Sequence, residues 1–296
     1  MNPPISTRRR FVTSTALTMA ASLSSRSPAL GAGVHWTIGC FNRAWAAWPS
    51  GEALAGVRAA GYQTVGLISN HADNPFALPG ATKESIAALR KSLEENKLEA
   101  NLTALRYDEN ADDEAIEKSV LSQLDHAQAI GVHYVMTFGT DRAENHDRYL
   151  RLMKRAAAWA ADRKLKLVLK PHGGISAASL ELQHCLDTVA HPNFSLWYDA
   201  GNILHYTGRD PVAELKPIAK HVTGFCAKDC PGQGGEVMIQ FGTGRVDFKS
   251  VFSVLKEAGF DGPIMVEGIK VGATPEATTD FARANREFLE RILASL

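Results

Sequence analysis

Six side chains in four short stretches are of the types that move protons beside a carbonyl. Lys170 and His172 lie in LVLKPHGG (residues 167–174), Asp199 in LWYDAGN (196–202), Lys228 and Asp229 in FCAKD (225–229), and Glu267 in IMVEG (264–268). A carboxylate can take a proton from carbon, a fixed ammonium can stabilise the enolate oxygen that results, and a neutral imidazole can relay a proton. Lys170 closes an apolar run, an awkward place for a charge. Desolvation there would push it toward a neutral amine, able to act as a base or to form a Schiff base with a carbonyl compound. Alternatively, ion pairs with carboxylates would keep it charged and give it a structural role. His172 follows by two positions and so points to the same side of an extended segment. It could equally hydrogen-bond the backbone of the Gly173-Gly174 turn.

The elements that must position these residues are legible from the alternation of short apolar runs with amphipathic stretches. Eight runs occur: HWTIGC, TVGLIS, EANLTAL, YVMTFG, KLVLKP, FSLWYD, VTGFCAKD and PIMVEG. Between them lie helical patterns such as 82–96, 113–130, 147–163, 248–258 and 275–293. Near-continuous apolar strands separated by helices imply a parallel sheet, and eight in this length imply a (β/α)8 TIM barrel. No Ser/Gly/Pro linker breaks the pattern after residue 32, so residues 33–296 are expected to form a single domain. An open dinucleotide-binding sheet is disfavoured, because no G-x-G-x-x-G follows an early strand.

A barrel of this kind carries its chemistry where the strands end. The polar residues there are Asn42 and Arg43, then His71, Arg106, Thr140, Lys170 and His172, Asp199 and Asn202, Lys228 and Asp229, and Glu267. Asn42, Arg43, His71, Arg106, Asn202, Lys228 and Asp229 are candidates for holding a substrate. Asn202 and Thr140 could as well be ordinary helix caps or turn formers.

The order and placement of LVLKPHGG, LWYDAGN, FCAKD and IMVEG, with the later GTGRVDF turn (242–248), resemble the xylose isomerase-like barrels, a group of sugar isomerases, epimerases and dehydratases. The resemblance implies a divalent metal (Mn, Mg or Zn) held by Glu, Asp, His and Glu from the last four strands, and proton transfer beside a sugar carbonyl. Asp199 and Glu267 match two of those ligands. Lys170 stands in place of the first Glu, and Cys226 in place of the His. An ammonium repels a cation and a protonated thiol is a poor ligand for hard metals, so the usual site is expected to be degraded, with Asp199 and Glu267 the only matching ligands. The resemblance therefore implies a sugar isomerase or epimerase acting through Lys170, His172, Asp199 and Glu267. A keto-sugar lyase or dehydratase, or a catalytically silent sugar-binding barrel, are the alternatives. On this view Lys170→Ala would abolish turnover and leave thermal stability nearly unchanged.

The first 32 residues read differently from the rest. Arg8, Arg9 and Arg10 precede a mildly apolar stretch and the small residues Ala29 to Gly31, the pattern of a twin-arginine export signal, and the mature protein is expected in the periplasm or outside the cell. The stretch is too short and polar for a membrane anchor. The chain has 32 basic and 32 acidic residues, and cleavage removes four arginines and no acids, which leaves the mature protein mildly acidic. No basic patch points to nucleic acid, and a metal-dependent nuclease would need histidine-rich strand ends that are lacking. A carbohydrate is the expected small-molecule partner. Cys40, Cys185, Cys226 and Cys230 are too few for a disulfide framework and read as buried thiols.

Overall fold

The computed structural model describes residue 1, residues 34–71, residue 73 and residues 78–296. Apart from Met1, the expected export segment lies outside the described residues. Eight parallel strands close into a barrel in chain order: β1 (Ile38–Phe41), β2 (Thr64–Leu67), β3 (Glu99–Ala104), β4 (Tyr134–Thr137), β5 (Lys166–Leu169), β6 (Phe194–Tyr198), β7 (Val222–Ala227) and β8 (Ile264–Val266). The register β1 to β8 (Gly39 opposite Met265, Cys40 opposite Val266) completes the ring. Each expected strand is present, as the apolar runs require.

Helices α1 (Ser50–Ala59), α2 (Lys83–Glu95), α3 (Asp113–Ile130), α4 (His146–Asp162), α5 (Ser179–Val189), α6 (Ala200–Thr207), α7 (Pro211–Leu215), α8 (Phe248–Glu257) and α9 (Pro275–Leu293) lie between and after the strands. Their ends follow local chemistry. Thr82 and Ser85 form a reciprocal capping box on α2, Asp112 caps α3, and Thr274 caps α9 ahead of Pro275. Gly131, with φ of +94°, stops α3 in the left-handed region that favours glycine. Helix α4 packs through Tyr149, Leu150, Leu152, Met153 and the small residues Ala156, Ala157 and Ala160, which allow a close approach to the sheet. No helix among the described residues is long and apolar enough to cross a membrane.

Two buried layers result. One lies between helices and sheet. The other fills the barrel interior with Phe41, Ile68, Leu102, Ala104, Met136, Val168, Trp197, Cys226 and Met265. Fully burying such a side chain contributes about 1.5–3 kcal/mol. Trp45, in the turn after β1, is fully buried and donates to the Pro275 carbonyl at 3.3 Å. That tryptophan anchors the β1 turn to α9.

Candidate active site

The apolar interior sets the next layer up. Side chains alternate along a strand, so the residue two positions beyond each interior residue also points inward, at the C-terminal mouth. Phe41, Ala104, Met136, Val168, Trp197, Cys226 and Met265 are interior residues. Two positions on stand Arg43, Arg106, Phe138, Lys170, Asp199, Lys228 and Glu267. The last four come from adjacent strands β5 to β8 and meet.

Their contacts are specific. Lys170 Nζ donates to Glu267 Oε2 and lies 3.2 Å from Asp199 Oδ2. Lys228 Nζ lies 3.0 Å from Glu267 Oε1, 3.3 Å from Asp199 Oδ2, and donates to Asn202 Oδ1 at 3.0 Å. Arg43 Nη1 reaches Glu267 Oε1 at 3.0 Å. Lys170, Asp199, Lys228 and Glu267 are 0–3% exposed, whereas the Arg43 side chain is 36% exposed. Arg43 is therefore the solvent-facing member of a sealed cluster.

The two carboxylates differ in how they are engaged. Every Glu267 oxygen accepts a charge-assisted hydrogen bond. Burial works against the Glu267 charge, but Lys170, Lys228 and Arg43 together outweigh it and hold the carboxyl well below its usual range. Asp199 Oδ1 caps α6 by accepting from the Asn202 backbone at 2.8 Å. Its Oδ2 is fully buried between the two ammonium groups, at ion-pair distance from both, yet aligned with neither for a hydrogen bond.

Burial also works against the charge on Lys170, and here Glu267 and Asp199 outweigh it and raise the ammonium above its ordinary value. Of the two sequence alternatives for Lys170, the neutral amine and the ion pair with carboxylates, this geometry favours the ion pair, because the flanking carboxylates override desolvation. These ion pairs lead to the opposite prediction for Lys170→Ala, a loss of thermal stability.

The other sequence candidates fall into two groups. Asn202 belongs to the cluster as a brace, since its amide bonds both Lys228 Nζ and, at 2.7 Å, the Pro171 carbonyl next to Lys170. Asn42, His71 and Asp229, candidates for holding substrate, are engaged in hydrogen bonds within the chain. The Asn42 side chain bonds the backbone of Ile68 and Ser69 and, at 3.0 Å, His71 Nε2, whose ring also bonds the Trp48 carbonyl at 2.7 Å. Asp229 accepts four backbone N–H groups, from Cys230, Gly242, Gly244 and Val246. This explains the GTGRVDF turn: a Cβ on Gly244 would fall 2.2 Å from Asp229 Oδ1. Arg106 lies exposed at the mouth, donates to the Ile68 carbonyl at 3.2 Å and sits 5.6 Å from the Phe138 ring centre.

His172 stands at the rim between Phe138 and Tyr206, with the Tyr206 hydroxyl 3.1 Å from Nε2 and 3.2 Å from Nδ1. Partial burial of the ring, then the Lys170 and Lys228 charges, lower its pKa to about 4. The imidazole is neutral at physiological pH. Because the folded value lies below the unfolded value of about 6.5, the unfolded chain binds the proton more readily between them, and His172 lowers stability as pH falls through that window. Two-dimensional NMR of the imidazole should show a midpoint near 4; a midpoint at the ordinary value would remove His172 from the influence of the ammonium pair. Phe138 and Tyr206 escaped the sequence reading. Phe138 was recoverable by extending the alternation of β4 two residues beyond Met136; Tyr206 lies on α6 with no such signal.

Whether a divalent metal fits can be judged from the donors. Asp199, Cys226 and Glu267 offer ligand atoms within 4.8 Å of one another. The Lys170 and Lys228 ammonium groups, however, already lie against the carboxylate oxygens a cation would need. Cys226 belongs to the apolar floor, and burial pushes its thiol well above the ordinary value. This donor set does not suit a hard divalent cation. Two cavities lie away from the cluster, one of about 150 Å³ between α3 and α4, the other of about 540 Å³ at the opposite end of the barrel around Trp36 and Arg286. Neither includes a residue of the charge cluster.

Comparisons with known proteins agree with this architecture. L-ribulose-5-phosphate 3-epimerase UlaE of Salmonella paratyphi C is 25% identical over 244 residues, covering 75% of this chain and 84% of that protein. Among solved structures, D-allulose 3-epimerase from Methylomonas sp. superimposes with a TM-score of 0.69 at 21% identity, covering 88% of this chain and 98% of that one. A xylose isomerase-like barrel protein from Mycobacterium smegmatis, solved in complex with magnesium, gives 0.70 at 15% identity, covering 88% and 97%. The family model described as xylose isomerase-like TIM barrel matches residues 54–292, and the chain belongs to that family.

Proposed function

We propose that the protein is an exported sugar isomerase or epimerase that removes a proton from the carbon beside the carbonyl of a sugar or keto-sugar. The observation that carries this reading is Asp199 Oδ2, a buried carboxylate oxygen without a hydrogen bond, set between two ammonium groups. Asp199 takes the proton, the electron pair moves into the carbonyl, and the oxygen that becomes anionic accepts hydrogen bonds from Lys170 and Lys228. Glu267 holds the two lysines in place and moves no proton, because all its oxygens are already engaged by cations. Substrate entry displaces Arg43, the exposed member, from Glu267. Neutral His172, with Tyr206, is placed to accept and donate at a sugar hydroxyl on the rim. The relatives named as sugar epimerases support the substrate class. Return of the proton to the former carbonyl carbon gives an isomer, and delivery of a proton to the opposite face of the original carbon by a second acid gives an epimer; loss of a neighbouring leaving group instead would make the enzyme a lyase.

One observation favours a second reading, a silent sugar-binding barrel: the cluster is sealed, and its charges largely neutralise one another. Incubation in D2O with D-fructose, D-allulose, D-tagatose, L-ribulose 5-phosphate and a keto-glycoside, followed by proton NMR and paired with calorimetry, separates the two. Loss of the proton signal beside the carbonyl supports the enzyme. Binding heat without exchange on any sugar would sink it in favour of the binder.

A further inference from the structure

We infer that the ammonium groups of Lys170 and Lys228 together take the place of a divalent cation, forming a metal-independent cradle for two neighbouring oxygens of the substrate. It presupposes the proton-transfer role of Asp199 proposed above.

Three observations converge on it. The first is occupancy of the ligand oxygens. Asp199 Oδ1 is committed to the α6 cap, Asp199 Oδ2 faces both lysines, and the Glu267 oxygens face Lys170, Lys228 and Arg43. A cation placed among them would have to displace an ammonium and would be repelled by the other. The buried Cys226 thiol beneath offers no compensating hard donor.

The second is the count of donors. An ammonium carries three N–H groups. Lys170 commits one in a hydrogen bond, to Glu267, and Lys228 commits two, to Asn202 and Glu267. Three N–H groups are left uncommitted, two on Lys170 and one on Lys228, and neither lysine is aligned to bond Asp199 Oδ2. A carbonyl oxygen and an adjacent hydroxyl can accept two of them, one from each lysine. Two positive charges at one point on the mouth supply what a divalent ion would supply to a developing enediolate.

The third is rigidity. A cradle must hold its geometry before the substrate arrives, as metal ligands do. Lys228 is fixed by Asn202, and Asn202 is tied to the carbonyl of Pro171, the residue after Lys170. One amide therefore couples the two lysines across β5 and β7. The carbonyl-side partner is consequently a compound with oxygens on adjacent carbons, such as a 2-ketose or a 3-keto-sugar.

The test is metal content, read independently of turnover. The purified mature protein, dialysed and analysed by inductively coupled plasma mass spectrometry, should hold only trace Mn, Mg and Zn, and millimolar Mn²⁺ should leave its melting temperature unchanged. Lys170→Glu, which replaces the ammonium by a carboxylate, should rise from trace to about one ion per chain, with a higher melting temperature in Mn²⁺. Near-stoichiometric metal in the wild-type protein, or a saturable Mn²⁺-induced stabilisation of it, would overturn the inference. The wild-type measurements decide the matter even where Lys170→Glu does not fold. A metal-free wild type that exchanges no proton on any probe sugar would defeat the proposed activity, and with it the cradle's role toward substrate, while the exclusion of a cation by the two lysines would stand; exchange abolished by a chelator would overturn the cradle and leave the activity.

Discussion

Glu267→Gln is expected to lower the melting temperature by about 6–20 °C, the largest stability loss among the site variants. The substitution keeps shape and removes the anion that Lys170, Lys228 and Arg43 share. Breaking a buried pair by removing one partner costs about 3–5 kcal/mol, because the other charge stays buried and uncompensated. For a domain of this size each kcal/mol shifts the midpoint by about 2–4 °C. The pH dependence has a definite sign. The Glu267 carboxyl is held below its usual range, so its contribution is complete above the unfolded value of about 4.3 and is lost as pH falls toward the lower folded value. Scanning calorimetry should therefore give the same difference from wild type at neutral and mildly acid pH, and a smaller one in strong acid. A variant as stable as wild type would mean that the ion pairs are exchanged for water at little cost, and Glu267 would lose its proposed structural role. Lys170→Ala follows the same logic with a smaller loss, since Lys228 and Arg43 remain on Glu267.

The barrel was legible because each strand is a short, largely buried run, and six of the nine described α-helices carry a side-chain cap: Thr82, Asp112, Asp199, Asp210, Asp247 and Thr274. Such signals are local. The identity of the layer at the mouth was also partly local, since alternation from Val168, Trp197, Cys226 and Met265 leads directly to Lys170, Asp199, Lys228 and Glu267. Partners are not. Asp199 and Asp229 both end a strand in the sequence, and nothing in either stretch says that one faces two ammonium groups while the other collects three backbone N–H groups from a turn more than ten residues away and a fourth from the next residue. The same limit applies to Asn42 and His71, candidate ligand-binding residues at the first two strand ends, whose clamping of the β2 loop to the β1 turn no local signal announces. It also explains Lys170. Desolvation can be guessed from an apolar run, whereas the carboxylates that reverse its effect arrive from β6 and β8. Strand ends thus announce where chemistry can be, and the three-dimensional neighbours decide which residues are free to perform it.

Asp199→Asn is expected to separate proton transfer from support of the cluster. The amide oxygen can keep the cap on the Asn202 backbone, and Asp199 Oδ2 makes no hydrogen bond to either lysine, so stability should fall less than in Glu267→Gln. Activity should fall far more. Loss of a positioned general base typically costs about 10²–10⁴ in rate, which corresponds to roughly 3–5 kcal/mol of barrier. On whichever sugar of the panel exchanges its proton in D2O, the rate of exchange and the rate of product formation should drop together, because both need the same abstraction. Glu267→Gln, examined at a temperature where it is fully folded, should lose turnover through displaced lysines, and a Glu267→Asp variant should recover part of it by restoring the charge. Asp199→Glu should recover little, since an added methylene moves the carboxylate off the one position flanked by both ammonium groups. Exchange at the wild-type rate in Asp199→Asn would place the base elsewhere, with His172 on the rim the next group to replace, and would reduce Asp199 to a counter-ion of the two lysines.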